Sequence, residues 1–350
     1  MRGLGGVGSD ASGDSDTECT CATEALAAAV PAVVERPRGH STEHTATHGA
    51  PAVPPPLGLV LGAFAALYLV WGSTYLGIRL AIDSIPPFLM AGSRFVVSGA
   101  VLYGIMRAYG AARPTRPQWI AATITGSLLL LAGNGGVTWA EQLVPTGITA
   151  LVIAAVPAWI AVADWVRPGG RRPGVFAIAG IAVGFAGVAL LVSGRTASGG
   201  QLVNPIGAAA LVFSTLCWAA GSIYSRHSPK PRHTLLAIAM QMIAGGALQL
   251  LVGVLLGEPH RFSFSAITAS SAWAWLYLTT VGSLIGFTAY VWLLQVSTPA
   301  RVSTYAYVNP LIAVLLGHVV LHEAVPTGVA LAGSLILGAV ILLTATSGRK

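Results

Sequence analysis

Charged residues are scarce in this 350-residue chain: they occupy only 9% of its positions, whereas hydrophobic residues occupy 54%. A soluble domain carries roughly 25% charged residues, because water must wet its surface. Most of the surface of this chain therefore does not face water. The composition excludes an ordinary soluble globular protein and predicts an integral membrane protein.

Cysteine and the common catalytic motifs are also rare or missing. The three cysteines are two in the polar N-terminal segment and Cys217 in an apolar run, so no disulfide framework is predicted. The chain contains no HExxH, no GxSxG and no phosphate-binding glycine loop. It also lacks a basic patch interleaved with aromatic residues. We therefore expect no enzyme activity, no cofactor and no nucleic-acid partner.

Residues 1–56 form a polar segment rich in Gly, Ser, Thr, Ala and Pro. Such a composition predicts a disordered tail, which we expect to be cytoplasmic. His40, His44 and His48 fall at helical spacing within it and could in principle bind a metal. Because the flanking Gly, Thr and Pro disfavour a helix, we expect no metal site there.

Ten apolar stretches follow the tail, each near the 20 or so residues that a membrane-spanning helix requires. We place them near 57–79, 87–107, 118–139, 145–166, 174–193, 204–225, 234–256, 272–294, 300–321 and 326–346. The connections between them are short and leave no room for a soluble catalytic domain. The predicted fold class is thus an all-α integral membrane protein with ten transmembrane helices.

The loop charges predict the orientation of these spans. With the N-terminus inside, the inner connections and the C-terminus hold Arg107, Arg113, Arg116, Arg167, Arg171, Arg172, Arg226, Lys230, Arg232, Arg301, Arg349 and Lys350. The outer connections hold Asp83, Glu141, Glu258 and Glu323, with Arg79, Arg195 and Arg261 as their basic residues. An excess of basic residues on the cytoplasmic side is the general rule, so both termini are predicted to be cytoplasmic.

A sequence repeat divides the membrane region into two halves, 57–193 and 204–346. A shift of 153 positions superposes Gly133 on Gly286, Trp139 on Trp292, Gln142 on Gln295, Pro157 on Pro310, Pro173 on Pro326 and Gly180 on Gly333. Each half has five predicted spans, so the second half enters the membrane from the opposite side. Inverted repeats of this kind are common in secondary transporters, where they permit alternating access to one central site.

Several short motifs occur in a characteristic order along the chain. They are Trp-Gly-Ser-Thr-Tyr from Trp71 to Tyr75, Pro86-Pro87 followed by Arg94, Gly133-Asn134-Gly135, Tyr307-Val308-Asn309-Pro310, and His322-Glu323. Together they resemble the EamA-domain drug/metabolite transporters. The resemblance implies ten helices and the efflux of amino acids, drugs or other small metabolites. The chain departs from the family pattern at Gly170, which aligns with the acidic Glu323.

Aromatic and uncharged polar residues on the predicted spans are the candidate substrate contacts. The aromatic candidates are Trp71, Tyr75, Trp139, Trp218, Tyr224, Trp292, Tyr305 and Tyr307, whose ring faces could accept apolar or cationic solutes. The polar candidates are Ser73, Thr74, Asn134, Gln142, Ser222, Gln295 and Asn309. The alternatives are interfacial anchoring for the aromatic residues and helix–helix hydrogen bonding for the polar ones.

Arg94 and two prolines complete the set of candidates. Arg94 is the basic side chain deepest in a predicted span, where charge is costly and faces the bundle interior. It either attracts a substrate or serves a structural role, by snorkelling or by pairing with Glu141. Pro157 and Pro310 lie near the predicted bilayer midplane, where each is either a hinge or a packing kink.

These patterns favour a secondary transporter, most simply an exporter of small molecules through a cavity between the two halves. The alternatives are an intramembrane enzyme or a channel. An enzyme needs a cluster of carboxylates, histidines or a nucleophile–base pair, and a channel needs a ring of charges or a filter loop. The sequence shows neither. The expected partners are a small-molecule substrate and the lipid bilayer.

Overall fold

The protein is described by a computed structural model that covers residues 55–166, 174–192, 203–297, 302, 305–325 and 327–347. Within these ranges every regular element is a helix and none is a strand. The predicted all-α class is therefore confirmed for the described part of the chain. The predicted tail, apart from residues 55 and 56, lies outside the described residues, as do its three histidines.

The long helical elements are labelled in chain order. They are α1 Leu57–Ala81, α2 Pro87–Ala108, α3 Arg116–Ala140, α4 in two parts Thr146–Ile153 and Val156–Val166, α5 Val175–Val192, α6 Pro205–His227, α7 Thr234–Leu255, α8 in three parts Ala269–Tyr277, Leu278–Ile285 and Gly286–Val296, α9 Tyr305–Leu321, and α10 Thr327–Ser347. A one-turn helix, Glu258–Arg261, and a 3-10 turn, Phe264–Ala266, connect α7 to α8.

Six of the described helices are long and apolar enough to cross a membrane: α1, α2, α3, residues Thr146–Ala163 of α4, α6 and α7. Shorter apolar helices are found at Ile178–Leu190, Val308–Leu321 and Thr327–Ala339. The chain is thus a multi-pass membrane protein. A total of ten spans, and their inverted arrangement, remain predictions.

Large apolar side chains cover the outside of the bundle. Leu69 on α1 and Phe213 on α6 are each 60% exposed, as expected of side chains that contact lipid rather than water. Glycines bring the helices together inside. A methyl group at Gly92 of α2 would lie 2.8 Å from the carbonyl oxygen of Gly246 on α7, so the two backbones touch there.

The packing of the helices links the first half of the chain to the second. Helix α2 packs along α7, and α5 packs along α10. Helix α1 contacts α8 and α9, while α6 contacts α3 and α4. Helix α3 also contacts α7, and α2 contacts α8. The first-half helices are therefore built against second-half helices rather than into a separate domain.

Two of the helices contain a π-helical segment that the sequence did not predict. Ser127–Gly135 forms one within α3, and Leu278–Ile285 forms one within α8. The wider turns of a π segment disturb the regular backbone hydrogen bonding. In each segment a neighbouring helix supplies a donor: Gln249 donates to the carbonyl of Leu130, and Ser98 donates to the carbonyl of Thr279 at 2.8 Å.

The two predicted hinge prolines lie in different local structures. Helix α4 is interrupted at Ala154 and Ala155, and Pro157 is the second residue of its second part. Helix α9 instead continues through Pro310, which is buried. Proline disturbs a helix by removing a donor and crowding the preceding turn, which accounts for the break in α4. Whether either proline acts as a hinge remains a prediction.

One end of the bundle, which we call the carboxylate face, is formed by the connections 82–86, 141–145 and 257–268 and by residues 322–325. Glu258 accepts hydrogen bonds from the backbone of Phe88 and Leu89 at 3.2 and 2.8 Å. Glu323 accepts them from Thr146 and Gly147 at 2.8 and 3.1 Å. These bonds satisfy free N–H groups at the starts of α2 and α4. Two second-half carboxylates therefore bind first-half helices.

Candidate functional site

Four aromatic rings form a cluster between the two halves. The ring centroid of Trp71 on α1 lies 5.4 Å from Phe287, 5.3 Å from Tyr290 and 5.0 Å from Tyr305. Tyr290 and Tyr305 are 6.0 Å apart and nearly perpendicular. We call these four residues the aromatic cluster. It combines one first-half residue with three from α8 and α9, and it presents ring faces and edges typical of aromatic packing.

Trp71 reaches this position because α8 carries a glycine where the indole approaches. A methyl group at Gly286 would lie 2.5 Å from the indole nitrogen of Trp71. The equivalent arrangement occurs on the other side of the molecule, where a methyl group at Gly133 of α3 would lie 2.9 Å from the Trp218 ring. In both cases a side chain on the first helix of one half packs on a glycine of the other half.

Asn309 lies next to the aromatic cluster and is only 7% exposed. With its nitrogen turned toward them, its amide donates to the carbonyl oxygens of Tyr68 at 3.3 Å and Tyr305 at 3.1 Å. The first contact crosses from α9 to α1. Asn309 therefore joins two of the three helices that carry the cluster, and its amide nitrogen is already engaged by protein in this conformation.

The hydroxyl groups of the Trp-Gly-Ser-Thr-Tyr motif are mostly bonded within the protein. Ser73 lies 2.6 Å from the phenol oxygen of Tyr277 on α8, and it also contacts backbone carbonyls of its own helix. Thr74 donates to the carbonyl of Trp71 at 2.7 Å. Ser73, two residues after Trp71, and Tyr277 thus form a polar contact between the halves.

Arg94 is buried, with 3% of its surface exposed. Its guanidinium donates to the amide oxygen of Asn134 at 2.8 Å and lies 4.4 Å from the centre of the Phe95 ring. The hydroxyl of Thr138 donates to the backbone carbonyl of Asn134 at 2.9 Å. No hydrogen bond joins Arg94 to Glu141 among the described residues. Pairing with Glu141, one of the structural alternatives for Arg94, is therefore not observed among the described residues, and the neutral amide of Asn134 accepts the hydrogen bond instead.

The remaining first-half candidates divide into inward and outward residues. Tyr75 and Trp139 pack against one apolar cluster around Val137, Leu151 and Leu211. Gln142, in contrast, is exposed at the carboxylate face, where its amide donates to the carbonyl of Trp139 at 3.0 Å. The structure therefore places Gln142 apart from the aromatic cluster.

The second-half candidates are spread along α6 and α8. Ser222 donates to the carbonyl of Trp218 at 2.7 Å. Tyr224 lies at the opposite end of the bundle from the carboxylate face and contributes to an open pocket of about 440 Å³ with Arg116, Ile120 and Pro229. Trp292 is buried. The side chains of Gln295 and Tyr307 lie outside the described residues.

Sequence reasoning missed three residues that the structure brings to the candidate site: Phe287, Tyr290 and Tyr277. A usable signal was present. Tyr277, Phe287 and Tyr290 all belong to the predicted span that contains Gly286. The sequence repeat already paired Gly286 with Gly133 and so marked this span. The inserted π segment at Leu278–Ile285 breaks the 3.6-residue periodicity between them, so their common direction cannot be read from spacing.

The charge pattern of the site limits its chemistry. Among the described residues near the join of the halves, Arg94 is a buried cation, Glu141 is a buried acid, and the other polar groups are hydroxyls and amides. No group of three or more His, Cys, Asp or Glu residues that could hold a metal is found in the described ranges. The residues present can bind a solute by ring contacts and hydrogen bonds.

Comparison with known proteins gives a family and a fold. The model of the EamA-like transporter family matches residues 57–193 and again residues 205–345. The "Uncharacterized inner membrane transporter YedA" of Escherichia coli K12 is 37% identical over 291 residues, covering 81% of this chain and 90% of that protein. The "Probable amino-acid metabolite efflux pump" of Salmonella typhimurium is 27% identical, covering 77% of this chain and 89% of the pump.

A solved crystal structure shares the fold. It superposes with a TM-score of 0.56 at 24% sequence identity, covering 83% of this chain and 98% of the other chain. The family matches together span most of the chain and include both of its repeated halves. The relatives are named as membrane transporters, which is consistent with the apolar helices and the aromatic and polar residues described above. This chain belongs to the EamA-like transporter family.

Proposed function

We propose that the protein is a secondary transporter that exports small metabolites, amino acids or drugs by alternating access. The substrate would bind between two inverted five-helix repeats, 57–193 and 204–346, in a cavity that includes the aromatic cluster. Ten helices would cross the cell membrane, with both termini in the cytoplasm. The observation that carries this proposal is that the same kind of tryptophan–glycine contact occurs twice, once with the tryptophan from each half.

That contact joins residues that the sequence repeat itself pairs. Trp71 packs on Gly286, and Trp218 packs on Gly133. Gly133 and Gly286 are 153 positions apart, and the two tryptophans open the similar motifs of the two halves. Each contact is thus the counterpart of the other with the halves exchanged, which supports a two-fold relationship between the halves.

The helix contacts support the same symmetry. If α1 corresponds to α6, α2 to α7, α3 to α8 and α4 to α9, the contact of α1 with α8 corresponds to that of α6 with α3. The contact of α1 with α9 then corresponds to that of α6 with α4, and the contact of α2 with α8 to that of α7 with α3. All six contacts are present. The π segments of α3 and α8 also fall on corresponding helices.

Symmetry of this kind suits alternating access. Two halves with the same internal structure and opposite orientation can exchange conformations, which opens a shared site to one membrane face and then to the other. Trp71 and Tyr305 would contact the solute through their ring faces, with the hydroxyl and amide groups of Ser73 and Asn309 nearby. Ring faces favour apolar or cationic groups. An uncharged or zwitterionic solute with an apolar part therefore fits best.

The proposed orientation rests on the charges at the two ends of the bundle. The carboxylate face holds Asp83, Glu141, Glu258 and Glu323. The described connections at the other end hold Arg113, Lys230 and Arg232, with Arg107, Arg116 and Arg226 on the adjoining helix ends. The basic end would be cytoplasmic by the positive-inside rule. The 440 Å³ pocket beside Tyr224 would then open toward the cytoplasm.

Solute counterflow tests the transport proposal. Purified protein would be placed in liposomes loaded with unlabelled amino acid, and the uptake of the same labelled amino acid would be followed for each member of a panel. A transporter should accumulate label transiently for at least one solute, and Trp71→Ala should reduce that uptake. Equilibration without transient accumulation would instead indicate a channel, and chemical conversion of the solute an enzyme.

Reporter fusions test the orientation independently of transport. Reporters placed after Leu143 and Gly257 should be found outside the cytoplasm, and those placed after Gly170 and Pro231 inside. Two or more reversed reporters would overturn the proposed topology while leaving the counterflow result unaffected.

A further inference from the structure

Glu141 is a buried carboxylate without a hydrogen-bond partner. It follows the last residue of α3 at the carboxylate face, and only 2% of its surface is exposed. Neither of its carboxyl oxygens has a hydrogen-bond partner among the described residues. Glu258 and Glu323, at the same face, each accept two backbone hydrogen bonds. Glu141 therefore does not serve as a helix cap like its neighbours.

Charged groups surround Glu141 without binding it directly. Its electrostatic neighbours are Glu323 at the end of α9, Arg79 on α1 and Arg94 on α2. No ion pair between Glu141 and either arginine is found in the described ranges, and Arg94 donates to Asn134 instead. Burial, and after it the negative charge of Glu323, raises the pKa of the Glu141 carboxyl above its usual value, against the opposing effect of the two arginines.

Helix α6 also packs against this end of α3, but it adds no charge there. Its start approaches the connection after α3, since a methyl group at Gly207 would lie 2.7 Å from Val144. The basic side chains of α6 are Arg226 and His227, in its last turn at the opposite end. The balance at Glu141 is thus set by one carboxylate and two arginines, none of them in hydrogen-bond contact with it.

An ionised carboxylate that is buried and receives no hydrogen bond is strongly disfavoured, and such a group takes up a proton instead. We propose that Glu141 is a proton-binding site, occupied in the conformation described here, through which proton movement is coupled to solute transport. The coupling part of this inference rests on the proposed transport function. The proton-binding part does not.

The contacts of Glu323 provide a physical link between the charge of Glu141 and the position of α4. Glu323 holds the N-terminus of α4 through Thr146 and Gly147. When Glu141 loses its proton, a second negative charge appears beside Glu323 in a site of low dielectric, where like charges repel strongly. The repulsion favours separation of Glu323 from the start of α4. Loss of the proton would thereby open the carboxylate face, and its return would close it.

Tyr75 connects this site to the aromatic cluster. It lies on α1, one helical turn after Trp71, and it is an electrostatic neighbour of both Glu141 and Tyr305. A change of charge at Glu141 therefore changes the electrostatic potential at Tyr75, a residue adjacent to the proposed solute site. A two-state element that both ligands influence is what energetic coupling requires.

Infrared difference spectroscopy tests proton binding without any substrate. The purified wild-type protein should show a carbonyl band of a protonated carboxylic acid that disappears as the pH is raised. The band should be missing in Glu141→Gln and retained in Asp83→Asn, which removes an exposed acid of the same face. Glu141→Asp should keep a band that titrates at a different pH. An unchanged band in Glu141→Gln would overturn the proposal.

Proteoliposomes then test coupling with whichever amino acid shows counterflow. An imposed pH gradient should drive accumulation in the wild type and in Asp83→Asn. In Glu141→Gln, whose neutral amide mimics the protonated acid, counterflow should persist while gradient-driven accumulation falls about ten-fold, the scale of a typical coupling free energy. Gradient-driven accumulation in Glu141→Gln, loss of its counterflow, or a response to sodium instead of protons would each overturn the coupling.

The two experiments separate the two proposals. Suppose that the wild type shows no counterflow with any solute, while its carbonyl band is missing in Glu141→Gln. The transport function then fails and the proton site stands. If the wild type exchanges solute but ignores the pH gradient, the transport function stands and the coupling fails.

Discussion

Trp71 packs on Gly286 so closely that a single methyl group at Gly286 would lie 2.5 Å from the indole nitrogen. Real carbon–nitrogen contacts of this length do not occur without movement of one partner. The glycine therefore fixes how deeply the indole of α1 can enter between α8 and α9. The position of the aromatic cluster depends on a residue that has no side chain.

Gly286→Ala should therefore displace Trp71 and weaken solute binding. Forcing an extra methyl group into a packed site costs about 1–3 kcal/mol. If most of that cost is met by movement of the indole, the half-saturating solute concentration should rise about ten-fold, the equivalent of about 1.4 kcal/mol. The measurement is the concentration dependence of counterflow. Gly133→Ala should have a similar effect through Trp218.

Gly338→Ala on α10 is the matched control for this substitution, because a methyl group there meets nothing within 4 Å. It should leave the concentration dependence unchanged. An effect of Gly286→Ala no larger than that of Gly338→Ala would contradict the role assigned to the tryptophan–glycine contact.

Asn309→Ala should lower the stability of the protein, because it removes the amide that joins α9 to the Tyr68 carbonyl on α1. Each hydrogen bond lost costs about 1 kcal/mol. The melting temperature in detergent and the half-saturating solute concentration should be measured on the same purified variant. A normal melting temperature with an approximately five-fold weaker affinity would instead show that Asn309 serves mainly as a solute contact.

Arg94 and Asn134 should behave as a coupled pair. Asn134→Ala leaves a buried guanidinium without its acceptor and should cost about 1–3 kcal/mol of stability. Arg94→Met removes the charge and keeps an apolar side chain of similar length, so the double variant should be more stable than Asn134→Ala alone. Thermal unfolding of the two single variants and the double variant measures this coupling. Simple additivity of the two single effects would contradict the coupling of Arg94 and Asn134.

The two capping carboxylates should stabilise the carboxylate face independently. Glu258→Ala and Glu323→Ala each leave two backbone N–H groups at a helix start without an acceptor, at a cost of about 1 kcal/mol per cap. Because the two sites share no hydrogen-bond partner, their effects on the melting temperature should add. Asp83→Asn provides the control. A double variant no less stable than either single one would contradict the independence of the two caps.

The all-helical membrane class and several helix starts could be predicted from the sequence because hydrophobic length is a strong local signal. The starts of α2, α6 and α7 lie within one residue of the predicted ones. The repeat pairs Gly133 with Gly286 and the motif of Trp71 with that of Trp218, and in the structure Trp71 packs on Gly286 and Trp218 on Gly133.

The side-chain arrangement could be predicted only in part, because it depends on contacts between distant segments. The sequence contains no local sign that Arg94 would bind Asn134 rather than Glu141, since Asn134 is 40 positions away on another helix. Nor does it indicate that Glu323 would reach the start of α4, 177 positions earlier. Tertiary packing determines which partner each of these side chains binds.

The π segments of α3 and α8 add a constraint on how these helices can change in length. If Ser127–Gly135 became a regular α-helix with no residue removed, the residue that the wider turn takes up would rotate every side chain after it, including Thr138 and Glu141, by about 100° around the helix axis. The same holds for Tyr290 after Leu278–Ile285. Each segment thus sets the angular phase between the two ends of its helix, so straightening it at constant length would turn a buried acid or an aromatic ring away from its present neighbours.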